Sequence, residues 1–213
     1  MTVEAAESGA GVQPTLLLVD IQQAFEDPAW GPRNNPEAEA NATRLLQGWR
    51  QAGAPVIHVR HKSRSPQGLF KGAALEFKPD VQPIGDEPVV DKSVNSAFIG
   101  TDLEKRLRDA SARTLVIAGL TTDHCCSTTA RMAANLGFEV WFVSDATATF
   151  DRTAPDGGLI DADTMHRTAL TSLSGEFAEI VDAQTAVRRL SSPARIPDPS
   201  ERPAGVDPVR WTP

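Results

Sequence analysis

The chain has 213 residues, 40% of them hydrophobic, and a formal net charge of -7. This length and apolar content suit one soluble domain with a sizeable core, and the acidic balance argues against a nucleic-acid surface. No apolar run approaches the ~20 residues that span a bilayer. The opening MTVEAAESGAGVQP lacks the basic and apolar regions of a signal peptide, and the two cysteines are adjacent, a poor disulfide framework. A cytoplasmic protein is expected.

In chain order, residues 1–14 read as a flexible lead, 15–190 as the folded domain and 191–213 as an irregular tail rich in Pro and Arg. TLLLVD (15–20) is a continuous apolar run ending in a carboxylate, the pattern of a strand buried on both faces. A helix follows, with Asn35 as N-cap, Pro36 at its first position and Gly53 as its stop. PVIHVR (55–60) is a second strand. Residues 61–88 contain few clear elements, and long loops in compact domains are usually functional or mobile. VVDK (89–92) is a short strand, and TDLEKRLRDA a helix with a capping box from Thr101 to Glu104. TLVIAG (114–119) is the clearest buried strand. A helix stopped by Gly137, the strand EVWFVSDA, a helix over 162–173, the strand AEIVD and a last helical turn or two over 185–190 complete the domain. Alternating apolar strands and amphipathic helices predict a single α/β domain with a mostly parallel six-stranded sheet. Ligands in such folds collect at the carboxyl ends of the strands. Asp20, Lys92 and the cysteine pair beyond Gly119 all stand at such ends.

Adjacent helical residues diverge by about 100°, so Cys125 and Cys126 cannot both face one cleft. Cys126 shares a face with Thr129, Ala130 and Ala133, a small-residue stripe suited to packing on the sheet. Cys125 is left in the first helical turn, with Thr122 as the cap, where the helix dipole favours a thiolate. Position alone leaves open that both are packing residues. Asp20 and Lys92 bear on this, because a carboxylate at the end of a buried strand is costly unless paired. Either the two form a structural ion pair, or they converge on Cys125 as base and stabilising cation for a nucleophilic thiol. Of the four histidines, His58 falls inside a strand, His61 starts the long loop, His124 precedes Cys125 and could face a substrate, and His166 reads as structural on a late helix.

LLLVDIQQAF, VVDKSVNSAFIGTDLEKRL and AGLTTDHCCSTTARMAANLGF, in that order, resemble the three signature segments of the isochorismatase-like cysteine hydrolases, over roughly residues 15–190. The resemblance implies a Rossmann-like three-layer α/β/α fold and an Asp20, Lys92 and Cys125 triad. It also implies an oxyanion hole of the Thr121 and Cys125 backbone N–H groups, with a cis peptide between Leu120 and Thr121. Gln22 matches the D-x-Q element, and Phe25, Trp30, Phe98, His124 and Phe150, with the 61–78 loop, are the expected substrate-pocket residues. Nicotinamidases of this superfamily carry an Asp/His metal set after the second strand. The corresponding VIHVRHKSRSPQGLFKG has His58 and His61 but no nearby acidic partner, so no metal and no cofactor are expected. True isochorismatases lack the cysteine and cleave a vinyl ether, so Cys125 implies hydrolysis of a C–N amide bond in a small molecule through a thioester. The alternatives are vinyl-ether or other non-amide hydrolysis, and a catalytically silent binding protein. Relatives usually associate, so a homo-oligomer, dimer or tetramer, is expected. Leu69, Phe70, Leu75, Phe77 and Trp211 are apolar groups that fit an interface, an active-site lid or packing on their own domain.

Overall fold

The computed structural model describes residues 12–65 and 68–191. In chain order the elements are β1 (Thr15–Val19), α1 (Ala38–Ala52), β2 (Val56–His61), β3 (Val89–Lys92), α2 (Leu103–Asp109), β4 (Thr114–Leu120), a π-helical turn (Thr122–Cys126), α3 (Ser127–Asn135), β5 (Glu139–Ala148), β6 (Arg152–Thr153), β7 (Leu159–Ile160), α4 (Ala162–Leu173), β8 (Glu179–Val181) and α5 (Ala183–Ser191). Six strands form one sheet in the order β3-β2-β1-β4-β5-β8, and every neighbouring pair is parallel. The short antiparallel pair β6 and β7 was not expected from the sequence. Each of its strands has two residues, too few to show a period.

The apolar runs work as two-sided strands. Along β1, Leu17 and Val19 join a core with Leu115 and Ile117 of β4, Leu103 and Leu107 of α2, and Ala130 of α3. Leu16 and Leu18 point the other way, into a core with Leu45, Leu46 and Trp49 of α1 and Ala186 of α5. Helices α1 and α5 therefore cover one face, and α2, α3 and α4 the other. No helix among the described residues is long and apolar enough to cross a membrane.

Strand order reverses between β1 and β4, the switch point where α/β sheets open a crevice at their carboxyl ends. Gly119 lets these two strands close up there. Its φ is +136°, and a Cβ on it would lie 2.0 Å from the Val19 carbonyl oxygen. Only glycine fits such a contact.

Three local expectations are corrected. Asn35 does not cap α1, which starts at Ala38 after Glu37. Asn35 instead takes a left-handed φ of 41°, and its amide donates to the Ser144 and Thr147 carbonyls of β5. The capping box at α2 is not formed, since Asp102 precedes the helix. Thr101 Oγ1 accepts from the Leu103 N–H and donates to the Ala97 carbonyl. Thr122 does not cap its helix either, because the segment opens as a wider π turn with the Cys126 N–H bonded to the Thr121 carbonyl.

In the 61–88 segment, Phe77 is buried against the His58 ring, and Phe70 joins an aromatic cluster with Trp30. Both pack on their own chain. Trp211 lies outside the described residues. Glu87, near the end of this segment, accepts from Arg50 at 2.7 and 2.8 Å and lies 2.8 Å from His58 Nε2. Burial alone would raise its pKa, but hydrogen bonds from Arg50, the Ile84 N–H and His58 outweigh it and hold the carboxyl at about 2. A carboxyl depressed on folding stabilises the protein above its unfolded pKa and loses that contribution as pH falls through the folded value. Glu87→Gln is therefore expected to lower stability at pH 7 and to converge with the parent between pH 4.5 and about 2, as followed by circular dichroism during acid titration.

Candidate active site

Asp20 directly follows β1, has a left-handed φ of 55° and is fully buried. Lys92 ends β3, two strands away, and its ammonium reaches back across β2 to lie 2.6 Å from Asp20 Oδ2. The same ammonium is 3.3 Å from Cys125 Sγ, 3.1 Å from the Val94 carbonyl and 3.2 Å from His61 Nδ1. Asp20, His61 and Cys125 each bring a polar atom within 4.8 Å of the other two. Beyond Lys92 and the thiol, the Asp20 carboxylate has no hydrogen-bond partner among the described residues. The peptide between Leu120 and Thr121 is cis, and the buried Thr121 hydroxyl also has no partner among the described residues.

The electrostatics follow from burial. Desolvation raises the Asp20 pKa, against the pull of Lys92. It also opposes the charge on Lys92, but the Asp20 and Cys125 side chains more than compensate, and the ammonium is held above its ordinary range. Burial and the Asp20 charge push the Cys125 thiol up to about 12, with Lys92 opposing. The helix dipole expected to favour a thiolate does not prevail at rest. His61 falls to about 4, first through burial and then through the Lys92 charge. It is neutral at pH 7 and turns a lone pair toward the ammonium. Passing the thiol proton to Asp20 leaves the cluster's net charge unchanged, so a buried site can interconvert the two forms without burying an extra charge.

Cys126 is fully buried, in the core with Ala130 and Ala133, on the face expected for it. Of the expected pocket residues, Phe25, Trp30 and Phe150 come together, with ring centroids 4.9, 5.2 and 6.0 Å apart. Phe70 joins them and also touches the His61 ring at 4.8 Å, linking this wall to the charged cluster. His124 is exposed beside Cys125, 3.5 Å from Arg152. Phe98 is not part of this aromatic wall; it is buried in the core cluster against which Cys125 also packs, with its ring over Phe138. Gln22 is a structural clamp. Its amide donates to the His61 and Leu75 carbonyls and accepts from the His61 N–H, which occupies both ends of the side chain.

Of the residues gathered here, His61 was expected only as the start of the 61–78 loop, and Asp123 was not expected. His61 stands at the carboxyl end of β2 in register with Lys92, and the strand-end rule that picked out Asp20 and Lys92, applied to β2, would have found it. Asp123 is partly buried, its carboxylate largely shielded, and accepts from Thr149 Oγ1 at 2.5 Å and Arg152 Nε at 3.1 Å. Nothing in the sequence shows that these distant partners meet. An open cleft of about 440 Å³ lies apart from the charged cluster, between Gln23–Glu26, the start of α1 and Lys78–Val81. Its cations Arg33 and Lys78 already pair with Glu39.

The model of the isochorismatase domain matches residues 14–185. The isochorismatase family protein YrdC of Bacillus subtilis, itself uncharacterised, is 45% identical over 168 residues, 78% of this chain and 90% of that one. A crystal structure of an isochorismatase-family protein from Chromobacterium violaceum superposes with a TM-score of 0.82 at 42% identity, covering 89% of this chain and 98% of its own. Streptothricin hydrolase from Streptomyces noursei is 31% identical over 91% of this chain and 78% of its own length. The domain match spans the whole six-stranded sheet, including β1, β3 and the turn after β4, and the chain belongs to the isochorismatase family of hydrolases.

Proposed function

We propose that the protein is a metal-independent cysteine amidohydrolase that cleaves a small-molecule C–N amide bond through a thioester. The observation that carries this is the Lys92 ammonium lodged between the Asp20 carboxylate and the Cys125 sulfur, 2.6 and 3.3 Å away. A buried cation in that place stabilises either proton arrangement of the pair. Asp20 takes the thiol proton, and the sulfur attacks the amide carbonyl carbon. The Thr121 and Cys125 N–H groups receive the developing oxyanion. Asp20 returns the proton to the leaving amine as the C–N bond breaks, then activates the water that hydrolyses the thioester. Phe25, Trp30, Phe70 and Phe150 wall the acyl side. An activity screen over ring amides, ureides and short acyl amides, with Cys125→Ser as control, tests this. The expected result is release of amine or ammonia from at least one class, abolished in the variant.

The metal-free part of the proposal rests on the donor set. Asp20, His61 and Cys125 face one another at distances a cation would bridge, but the Lys92 ammonium contacts all three. A divalent ion there would stand against a buried positive charge. Activity is therefore expected to survive exhaustive chelation unchanged. A loss reversed by zinc, iron or manganese would sink this part. A homo-oligomer is also expected, with the 61–78 loop near a neighbouring subunit. Sedimentation should show a dimer or tetramer at micromolar concentration, and a clean monomer with undiminished activity would refute it.

A further inference from the structure

The turn that carries Cys125 is held from two sides by side chains. On one side Asp123 is pinned by Thr149 and Arg152. On the other, Thr122 Oγ1 lies 2.8 Å from Nδ1 of His166, a residue of α4 that plays no part in the chemistry above. Both Thr122 and His166 are buried. The roles in this bond can be assigned. Both amide hydrogens of Asn35 are committed to the Ser144 and Thr147 carbonyls, so Asn35 has none to give the ring, and the Ser144 carbonyl, which can only accept, favours a ring proton on the side facing it. Nδ1 faces Thr122, and Nε2 is the nitrogen on the Ser144 side, 3.4 Å from the Asn35 amide that also bonds Ser144. The ring proton is therefore on Nε2, Nδ1 carries a lone pair, and the Thr122 hydroxyl donates to it. Burial lowers the His166 pKa and keeps this neutral form in place. Asn35 fixes the far side of the ring by bonding both Ser144 and Thr147.

The backbone closes this turn at its end, where the Ser127 N–H bonds the Thr122 and His124 carbonyls. The His124 and Cys126 N–H groups share one acceptor, the Thr121 carbonyl, at 3.3 and 3.2 Å, as a wide π turn permits. Thr122 lies between the two proposed oxyanion donors, Thr121 and Cys125. From this placement we infer that His166 is a positioning residue: its Nδ1, by accepting from Thr122, sets the aim of the Thr121 and Cys125 N–H groups and of the thiol. The assignment of those groups to catalysis rests on the amidohydrolase proposal, whereas the tethering of the turn does not.

Two histidine variants separate a specific bond from mere bulk. His166→Asn keeps an acceptor near the Nδ1 position, whereas His166→Gln keeps polarity near Nε2 and withdraws the acceptor from Thr122. Thr122→Val removes the hydroxyl with little change of shape. Hydrogen exchange of the 121–126 amides, read by mass spectrometry, needs no substrate. It is expected to speed up at least tenfold in His166→Gln and Thr122→Val and to stay within about threefold of the parent in His166→Asn. The double variant Thr122→Val/His166→Gln should be no faster than either single one. With an amide from the screen, kcat should fall in parallel while KM holds. Parent-like exchange in a folded Thr122→Val or His166→Gln variant, or equal damage from His166→Asn and His166→Gln, would overturn the inference. If His166→Gln does not fold, the comparison of Thr122→Val with His166→Asn decides. Altered exchange with unchanged kcat would leave the tether standing and count against the role given to Thr121 and Cys125.

Discussion

Cys125→Ala is expected to lose at least ~10³-fold in kcat, and Cys126→Ala to keep kcat within about threefold. The two thiols are neighbours in sequence but not in environment. Cys125 is only partly buried and contacts the Lys92 ammonium. Cys126 is fully buried among Ala130, Ala133 and the sheet. Removing its sulfur leaves a small void costing about 1 kcal/mol, a loss of ~3 °C in Tm for a chain of this size. Steady-state kinetics and calorimetry on the two variants check both halves. A dead Cys126→Ala beside an active Cys125→Ala would reverse the assignment.

The second large effect is an asymmetry between the partners of the buried ion pair. Lys92→Met leaves the Asp20 carboxylate with no cation and only the thiol as partner. Breaking a buried pair in this way costs about 3–5 kcal/mol, a Tm drop of ~10 °C here. Asp20→Asn leaves the ammonium facing His61 Nδ1 and the Val94 carbonyl, two acceptors that need no charge, so its stability loss should be smaller. Both variants should lose at least ~10³-fold in kcat, since one lacks the base and the other the cation. The double variant Asp20→Asn/Lys92→Met should be more stable than Lys92→Met alone and no more active. A Lys92→Met variant as stable as Asp20→Asn would show that the pair is not as desolvated as its burial implies.

The fold was legible because its strands are two-sided. Runs such as TLLLV and TLVIAG have no polar face, and only a sheet covered on both sides accommodates that. The placement of Asp20, Lys92 and Cys125 was legible for a related reason: each stands at or a few residues beyond the end of such a run, where the chain leaves the sheet. Less was visible where a side chain's partner is far along the chain. Asn35 has the chemistry of a cap and spends it on β5, 109 and 112 residues away. Gln22 looks like a ligand-facing amide and is used up by the backbone of β2 and the loop beyond. Phe98 was an aromatic near a strand end, but its ring turns toward Phe138. His166 shows nothing in its own helix that marks it. Its meaning comes from Thr122, which only the closed fold brings to it.

The most direct test of the central claim is to look for the covalent intermediate itself. An amide that the screen shows to be turned over is mixed with the enzyme, quenched in acid within milliseconds to seconds, and the peptide carrying Cys125 and Cys126 is sequenced by mass spectrometry. The account predicts the substrate's acyl mass on Cys125 and none on Cys126, with the amine released no later than the adduct appears. Turnover by the parent with no acyl group on Cys125 at any quench time, together with a Cys125→Ser variant that runs at the parent rate, would contradict it.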